Sequence, residues 1–143
     1  MRHFFFYGTL RPDCATGLPA RLIAPLEPVG PATVAGRIFA KPDPRGCYPV
    51  LYRGGRGRVT GFVFRERKGA RCGWLQALDR FEGAAGGGGE YLRRPVRAVL
   101  ADGTRLLADA YLYNRPAVRT LVPIRHGDFA RFLAETGQSQ FSG

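Results

Sequence analysis

The sequence predicts an α+β fold: a small mixed β-sheet curled into a barrel, with short flanking helices. Most apolar segments are short and either continuous or alternating, as in β-strands, whereas only two segments have clear helical spacing. Two short helices cannot supply the crossovers of a doubly wound parallel sheet. The length of 143 residues, with 45% hydrophobic and 23% charged residues, indicates one globular domain over residues 1–143.

The first half of the chain carries four predicted strands. An aromatic run that ends at Gly8 has the pattern of a buried strand, and the segment from Val59 to Phe64 alternates with period two. One or two turns of helix are predicted within 20–26, and a turn is predicted over 41–46. The four predicted strands cover residues 3–7, 34–40, 47–52 and 58–65.

Two segments in the second half have helical character. Apolar residues at helical spacing predict an amphipathic helix over 70–81, and Gly83 gives it a stop. A last helix is predicted over 128–135, where Asp128 is placed to cap its first turn. We therefore expect one central helix and one terminal helix.

The two remaining strands form a predicted hairpin. Residues 91–100 and 104–113 have strand character and are joined by Asp102-Gly103, a strong hairpin signal. Pro95 within the first strand predicts an edge position or a bulge there.

Composition argues against several classes of function. The longest apolar runs are far shorter than the roughly 20 residues that span a bilayer. The N-terminus has no features of a secretory signal, so we expect a cytoplasmic protein. Three scattered cysteines and two histidines match neither a disulfide framework nor a metal-binding spacing. No metal is predicted.

A net charge of +11 favours contact with phosphate groups. However, the arginines are spread along the whole chain, and abundant glycine and alanine indicate a compositional bias. Only residues 53–58 resemble an RNA-binding Arg/Gly segment, and that segment is short. A nucleic-acid partner is therefore not predicted.

The first candidate site is Tyr7-Gly8-Thr9-Leu10, where a buried strand meets a glycine. Glycine at such a point lets the backbone turn sharply and approach a ligand closely. Backbone N–H groups left unpaired by the turn can then hold a carboxylate or a developing oxyanion. The alternative is that Gly8 only ends a strand.

The second candidate is Glu82, in the last turn of the predicted central helix. It lies at the edge of the face that buries Leu78 and Phe81. Partial burial and the negative end of the helix dipole both raise the pKa of a carboxyl group there, which suits a general base. The alternative is a surface ion pair with Arg80 or Arg93.

Several short motifs, in order and spacing, resemble the γ-glutamylcyclotransferase-like family, particularly its small bacterial members and the γ-glutamylamine cyclotransferases. The resemblance runs from Phe4 to about Tyr113. A Gly-Asp-aromatic match follows at Gly127-Asp128-Phe129. The motifs that carry the resemblance are Tyr7-Gly8-Thr9-Leu10, Tyr48-Pro49-Val50-Leu51, the segment LDRFEG over 78–83, and the segment YLRRPVRAV over 91–99.

The resemblance implies a small barrel with flanking helices and an enzyme that cyclises γ-glutamyl amides. The substrate's α-amine would attack its own γ-carbonyl, releasing 5-oxoproline and an amine or amino acid. Glu82 would be the acid/base, since a mostly protonated amine must lose a proton first. Because the nucleophile is intramolecular, the reaction needs no metal or organic cofactor.

The family's binding loop falls on Tyr7, Gly8, Thr9 and Leu10, which would hold the α-amino-acid end of the γ-glutamyl group. Substrate contacts are also assigned to Tyr91, Arg93 and Tyr111. Arg93 fixes the substrate carboxylate or pairs with Asp79, and Tyr111 lines the cavity or is a core tyrosine.

Two departures from the family bear on substrate choice. Arg11-Pro12-Asp13 stands where many relatives have two basic residues and a glycine, and the glycine-rich loop 84–89 is a lid or a tolerated insertion. Two further hypotheses stay open: a non-catalytic module that binds a small acidic metabolite, and a nucleic-acid-associated protein.

Overall fold

The computed structural model describes residues 2–8, 18–44, 46–67, 73–83 and 89–139. Six strands and three helices are assigned within these residues. In chain order they are β1 (His3–Phe6), α1 (Leu18–Ile23), β2 (Leu26–Asp43), β3 (Gly46–Glu66), α2 (Trp74–Phe81), β4 (Tyr91–Leu100), β5 (Arg105–Tyr113), β6 (Val122–Pro123) and α3 (Phe129–Thr136).

Five of the strands close into a barrel. Their order is β3-β1-β5-β4-β2, and β2 pairs back to β3. Strands β1 and β5 are parallel, with Phe4 opposite Asp109, and the other pairs in the barrel are antiparallel. The predicted small mixed barrel with short helices is therefore confirmed.

The predicted strands at 34–40, 47–52 and 58–65 are wrong in their boundaries, because they belong to two long paired strands, β2 and β3. Pro28 and Pro31 are tolerated inside β2 because β4 pairs with it only over Ala32–Val34. Neither proline pairs with β4, so the N–H that each of them lacks removes no hydrogen bond to that strand.

An irregularity interrupts the β2–β3 ladder. Ala35 faces Arg58, but the next residue, Gly36, faces Arg53, so residues 54–57 bulge from the ladder. Gly54 and Gly55 take φ values of 94° and 83°, which glycine adopts without strain. The Arg/Gly segment is thus a solvent-exposed bulge inside a long strand.

The helix and hairpin predictions differ from the structure mainly at their starts. Helix α2 begins at Trp74, after Gly73 with its φ of 86°, and residues 70–72 of the predicted helix lie outside the described residues. The Asp102-Gly103 hairpin is confirmed by the bond from the Leu100 N–H to the Thr104 carbonyl at 2.8 Å. Pro95 lies where β4 pairs with β5 alone, in agreement with the predicted edge position.

Successive side chains of a strand point to opposite faces, and this alternation divides the buried side chains into two packed clusters. The first contains Phe5 and Val63, takes members from all five barrel strands and fills the interior together with Phe129 of α3. The second contains Phe4 and Leu78 and lies outside the barrel, where α1 and α2 pack. Within the described residues, no helix is long and apolar enough to cross a membrane.

Candidate active site

Helix α2 places Glu82 at the edge of the second cluster, the one that contains Phe4 and Leu78. Leu78 is fully buried and fixes the helix against the barrel. Glu82 is the C-cap residue, and its N–H donates to the Leu78 carbonyl at 3.0 Å. Gly83 then ends the helix with a φ of 69°. The predicted helix end and its glycine stop are therefore confirmed.

The Glu82 carboxyl group has an unusual environment. Burial raises its pKa from 4.5 to about 8, and the nearby charge of Asp79 adds to the effect. Among the described residues, no hydrogen bond or ion pair satisfies this carboxyl group. Arg93 pairs elsewhere and Arg80 is exposed, so the surface ion pair is not what forms.

Tyr7 and Gly8 connect β1 to two other strands. The buried Tyr7 hydroxyl donates to the Tyr111 carbonyl on β5. A Cβ added to Gly8 would overlap the Pro49 ring on β3. Gly8 is therefore needed for close packing, rather than for a positive φ. Thr9 and Leu10, the other half of the predicted binding loop, lie outside the described residues.

Tyr91 also contacts Pro49, the residue that packs against Gly8. At the start of β4, its hydroxyl donates to the Pro49 carbonyl at 2.8 Å. Pro49 is thus contacted by Tyr91 and backed by Gly8, so three of the motifs that are separate in sequence meet at one proline. Burial raises the pKa of Tyr91 well above 10.0, and Tyr7 and Glu82 add to the effect.

Arg93 belongs to a network of paired charges. Its Nε donates to Asp79 at 2.8 Å and its Nη1 donates to Asp109 at 2.8 Å. The Tyr111 hydroxyl also donates to Asp79, at 2.6 Å. Of the two predicted roles for Arg93, the pairing with Asp79 is therefore observed, and its two carboxylate partners occupy the guanidinium group.

Three tyrosines lie close enough to Glu82 for its charge to affect their pKa values. Its charge adds to burial in raising the pKa of Tyr7, Tyr91 and Tyr111. These phenols stay neutral near pH 7, and each hydroxyl already donates to a protein oxygen. Within this described cluster, Glu82 is the group that can gain or lose a proton near neutral pH.

Two residues contribute to the site beyond those that the sequence predicts. The sequence suggests Asp79 only as a partner of Arg93, although its position three residues before Glu82 puts it on the same side of the helix. Pro49 belongs to one of the four motifs and has no predicted role of its own. Its role depends on a contact between distant segments, which local pattern does not reveal.

The described residues contain no group of three or more His, Cys, Asp or Glu side chains placed to hold a metal ion.

Comparison with known proteins gives the family. A family model described as gamma-glutamyl cyclotransferase, AIG2-like, matches residues 4–131. No curated protein matches the chain.

Solved structures share the fold. An AIG2-like protein from Mus musculus has a TM-score of 0.66 at 20% identity, over 90% of this chain and 88% of that one. An Arabidopsis thaliana protein has a TM-score of 0.64 at 24% identity, over 95% and 84%. A gamma-glutamyl cyclotransferase has a TM-score of 0.59 at 17% identity, over 85% and 69%.

Proposed function

Because the chain belongs to the gamma-glutamyl cyclotransferase, AIG2-like family, we propose that it releases 5-oxoproline from a γ-glutamyl amide, with Glu82 as the general acid and base. The observation that carries this proposal is the Glu82 carboxyl group, which has no described partner and a pKa raised to about 8. A group with that pKa exchanges protons efficiently near neutral pH.

Matched pKa values support the role of Glu82 as the general acid and base. An α-amine has an ordinary pKa of about 8, so transfer of its proton to Glu82 is nearly balanced in free energy. The freed amine attacks the γ-carbonyl, the ring closes, and the bond from the γ-carbon to the leaving nitrogen breaks. Glu82 returns that proton to the leaving nitrogen, which also takes up the second proton that the attacking nitrogen loses as it becomes the lactam N–H. The leaving group is an amine, as in the γ-glutamylamine subtype, or an amino acid.

The remaining residues would shape the pocket. Gly8, Thr9 and Leu10 would offer backbone N–H groups to the α-amino-acid end of the substrate. Tyr7 and Tyr91 would form the neutral, buried wall beside Glu82, because their hydroxyls are engaged with protein carbonyls. Arg93 and Tyr111 would act through Asp79 rather than by holding the substrate carboxylate.

One observation also favours the binding-module alternative. With a pKa of about 8, Glu82 is largely protonated at pH 7 and would not repel an acidic metabolite. A protonated carboxyl group can even donate a hydrogen bond to a carboxylate. Turnover separates the two functions, because only the cyclotransferase needs the proton to move.

The test is 5-oxoproline release from a panel of γ-glutamyl amines and γ-glutamyl dipeptides. Wild type is compared with Glu82→Gln, which keeps the shape but cannot take a proton, and with Glu66→Gln as a matched control at the end of β3. We expect wild type and the control to turn over, and Glu82→Gln to lose about 10²- to 10⁴-fold in kcat.

Each departure from that result is informative. Full activity in Glu82→Gln would show that Glu82 is not the general acid and base, although the proposed reaction itself would still stand. No release by wild type from any donor, together with tight binding of an acidic metabolite, would favour the binding module.

A further inference from the structure

A row of aromatic rings leads away from the candidate site. Tyr91 packs edge-on against Tyr113, with ring centroids 5.5 Å apart, and Tyr113 packs edge-on against Tyr52 at 6.0 Å. Tyr52 in turn meets Phe39 at 5.7 Å. These four residues, here called the aromatic row, start beside Glu82 and run from β4 and β5 onto β3 and β2.

An arginine patch lies at the far end of the aromatic row. The Arg37 guanidinium lies 5.6 Å from the ring centroids of both Phe39 and Tyr52. Arg53 pairs with Gly36 in the ladder and donates to the Pro95 carbonyl at 3.0 Å, which brings β3 against β4. Six exposed arginines make up the patch: Arg37, Arg53, Arg56, Arg58, Arg94 and Arg97.

This patch lacks compensating charge. The strand segments that carry it, residues 28–42, 46–65 and 91–100, contain no Asp or Glu. The other cations of these segments, Lys41, Arg65 and Arg93, are paired with carboxylates from elsewhere. None of the six patch arginines has a carboxylate partner among the described residues.

The fold brings these arginines onto neighbouring strands, β3, β2 and β4. A compositional bias explains their number along the chain, but it does not explain why six arginines without a described carboxylate partner lie on three adjacent strands. Glu90 accepts a hydrogen bond from Tyr113 of the row at 3.4 Å, and its charge is paired with Lys41 at 2.9 Å. The row therefore runs from the Glu82 carboxyl group towards exposed arginines, the first of which, Arg37, stacks on its last two rings.

We propose that the aromatic row and the arginine patch form the subsite for the leaving group, and that they select γ-glutamyl donors whose leaving amine carries an acidic tail. This inference rests on the proposed cyclotransferase function. The rings give an apolar floor for the stem of the tail, and guanidinium groups bind carboxylates in a planar, two-pronged geometry.

Each step along the row is about 6 Å, while an extended peptide advances about 3.5 Å per residue. A tail of several residues is thus needed to reach Arg37.

The experiment compares two series of donors that differ only in charge. In one series the γ-glutamyl group is attached to the N-terminus of glutamate peptides of increasing length, and in the other to glutamine peptides of the same lengths. We expect kcat/KM for the glutamate series to rise with length above the glutamine series, reaching about 5- to 10-fold at low salt, because each exposed charge pair contributes modestly. The advantage resides in KM and shrinks at high ionic strength.

Variants locate the effect. Arg37→Gln and Arg53→Gln should each reduce the ratio between the two series towards one. Arg21→Gln, an exposed arginine on α1 outside the patch, should leave both series unchanged.

The failures are distinguishable. Equal turnover of the two series overturns this inference alone and leaves the reaction standing, whereas no 5-oxoproline from any donor overturns both. A glutamate preference that is insensitive to Arg37→Gln and Arg53→Gln also contradicts the assignment. Salt-sensitive binding of an oligouridylate without any peptide preference would mean that the patch serves nucleic acid instead.

Discussion

The end of α2 and the start of α3 are built from similar residues but differ in how their polar groups are satisfied. At α2 the order is Phe81-Glu82-Gly83, and at α3 it is Gly127-Asp128-Phe129, so each end combines an aromatic residue, a carboxylate and a glycine with positive φ. At α3, Asp128 accepts the Arg131 N–H at 3.2 Å. At α2, by contrast, no described residue bonds to the Glu82 carboxyl group.

The difference separates a structural motif from a functional one. The Gly127 carbonyl accepts the Thr60 N–H at 2.8 Å, and Phe129 is fully buried in the barrel interior, so this end anchors α3. An unsatisfied, partly buried carboxyl group opposes folding, and such groups persist where chemistry uses them. We therefore expect substitutions at α3 to change stability, and substitutions at α2 to change proton chemistry.

The largest stability effect should follow Gly127→Ala. A Cβ there would overlap the Arg58 carbonyl, and the φ of 80° is strained for alanine. The expected loss exceeds about 3 kcal/mol, measured as the free energy of unfolding in urea. Gly83→Ala is the matched control, because its φ is also positive but no atom of the described residues lies within 4 Å of an added Cβ. It should lose only about 1 kcal/mol. Similar losses in both variants would contradict the anchoring role of Gly127.

The next effect is the pH dependence introduced by Glu82. Its folded pKa of about 8 lies above the ordinary value of 4.5, so the unfolded chain releases this proton first as the pH rises. The Glu82 contribution therefore becomes destabilising between about pH 4.5 and 8 and is complete above pH 8. Glu82→Gln cannot ionise and should raise Tm above pH 8, with little change near pH 4.5. Thermal unfolding at both pH values measures this, and a Tm difference that is independent of pH would argue against the raised pKa.

A smaller effect tests the cause of that pKa. Removing the charge in Asp79→Asn should lower the pKa of Glu82, because Asp79 is the second cause of its rise. The acid limb of the kcat/KM profile should then move to lower pH. Asp109→Asn is the control, since Asp109 pairs with Arg93 but is not among the causes of the Glu82 shift. A limb that moves equally in both variants would indicate a general loosening of the site.

The smallest effect belongs to the cap of α3. Asp128→Ala removes the side-chain acceptor of the Arg131 N–H, which should cost about 1 kcal/mol of unfolding free energy. Activity at saturating substrate should stay at the wild-type level. A loss of turnover without a loss of stability would place α3 in the chemistry and erase the contrast between the two ends.

The features that could be predicted from sequence are those governed by local physics. Helical spacing and Gly83 located Glu82 at the end of α2, Asp102-Gly103 identified the hairpin, and Asp128 marked the start of α3. Each depends on residues only a few positions apart, where turn and capping preferences act.

The features that could not be predicted depend on contacts between distant segments. The parallel pairing of Phe4 with Asp109 closes the barrel across most of the chain. The packing of Gly8 against Pro49 likewise joins segments that sequence patterns treat separately. The sequence also leaves both roles of Arg93 open, because only the fold brings Asp109 within hydrogen-bond distance of its guanidinium group.

The most direct test of this account is a titration of the Glu82 side chain by carboxyl-carbon NMR, assigned by its loss in Glu82→Gln. Glu135, whose pKa is lowered by hydrogen bonds from Arg131 and His126, provides an internal reference. We expect a titration midpoint near 8 for Glu82. A midpoint near 4.5, the ordinary value, would mean that Glu82 is solvated or paired, and it would contradict its assignment as the proton carrier.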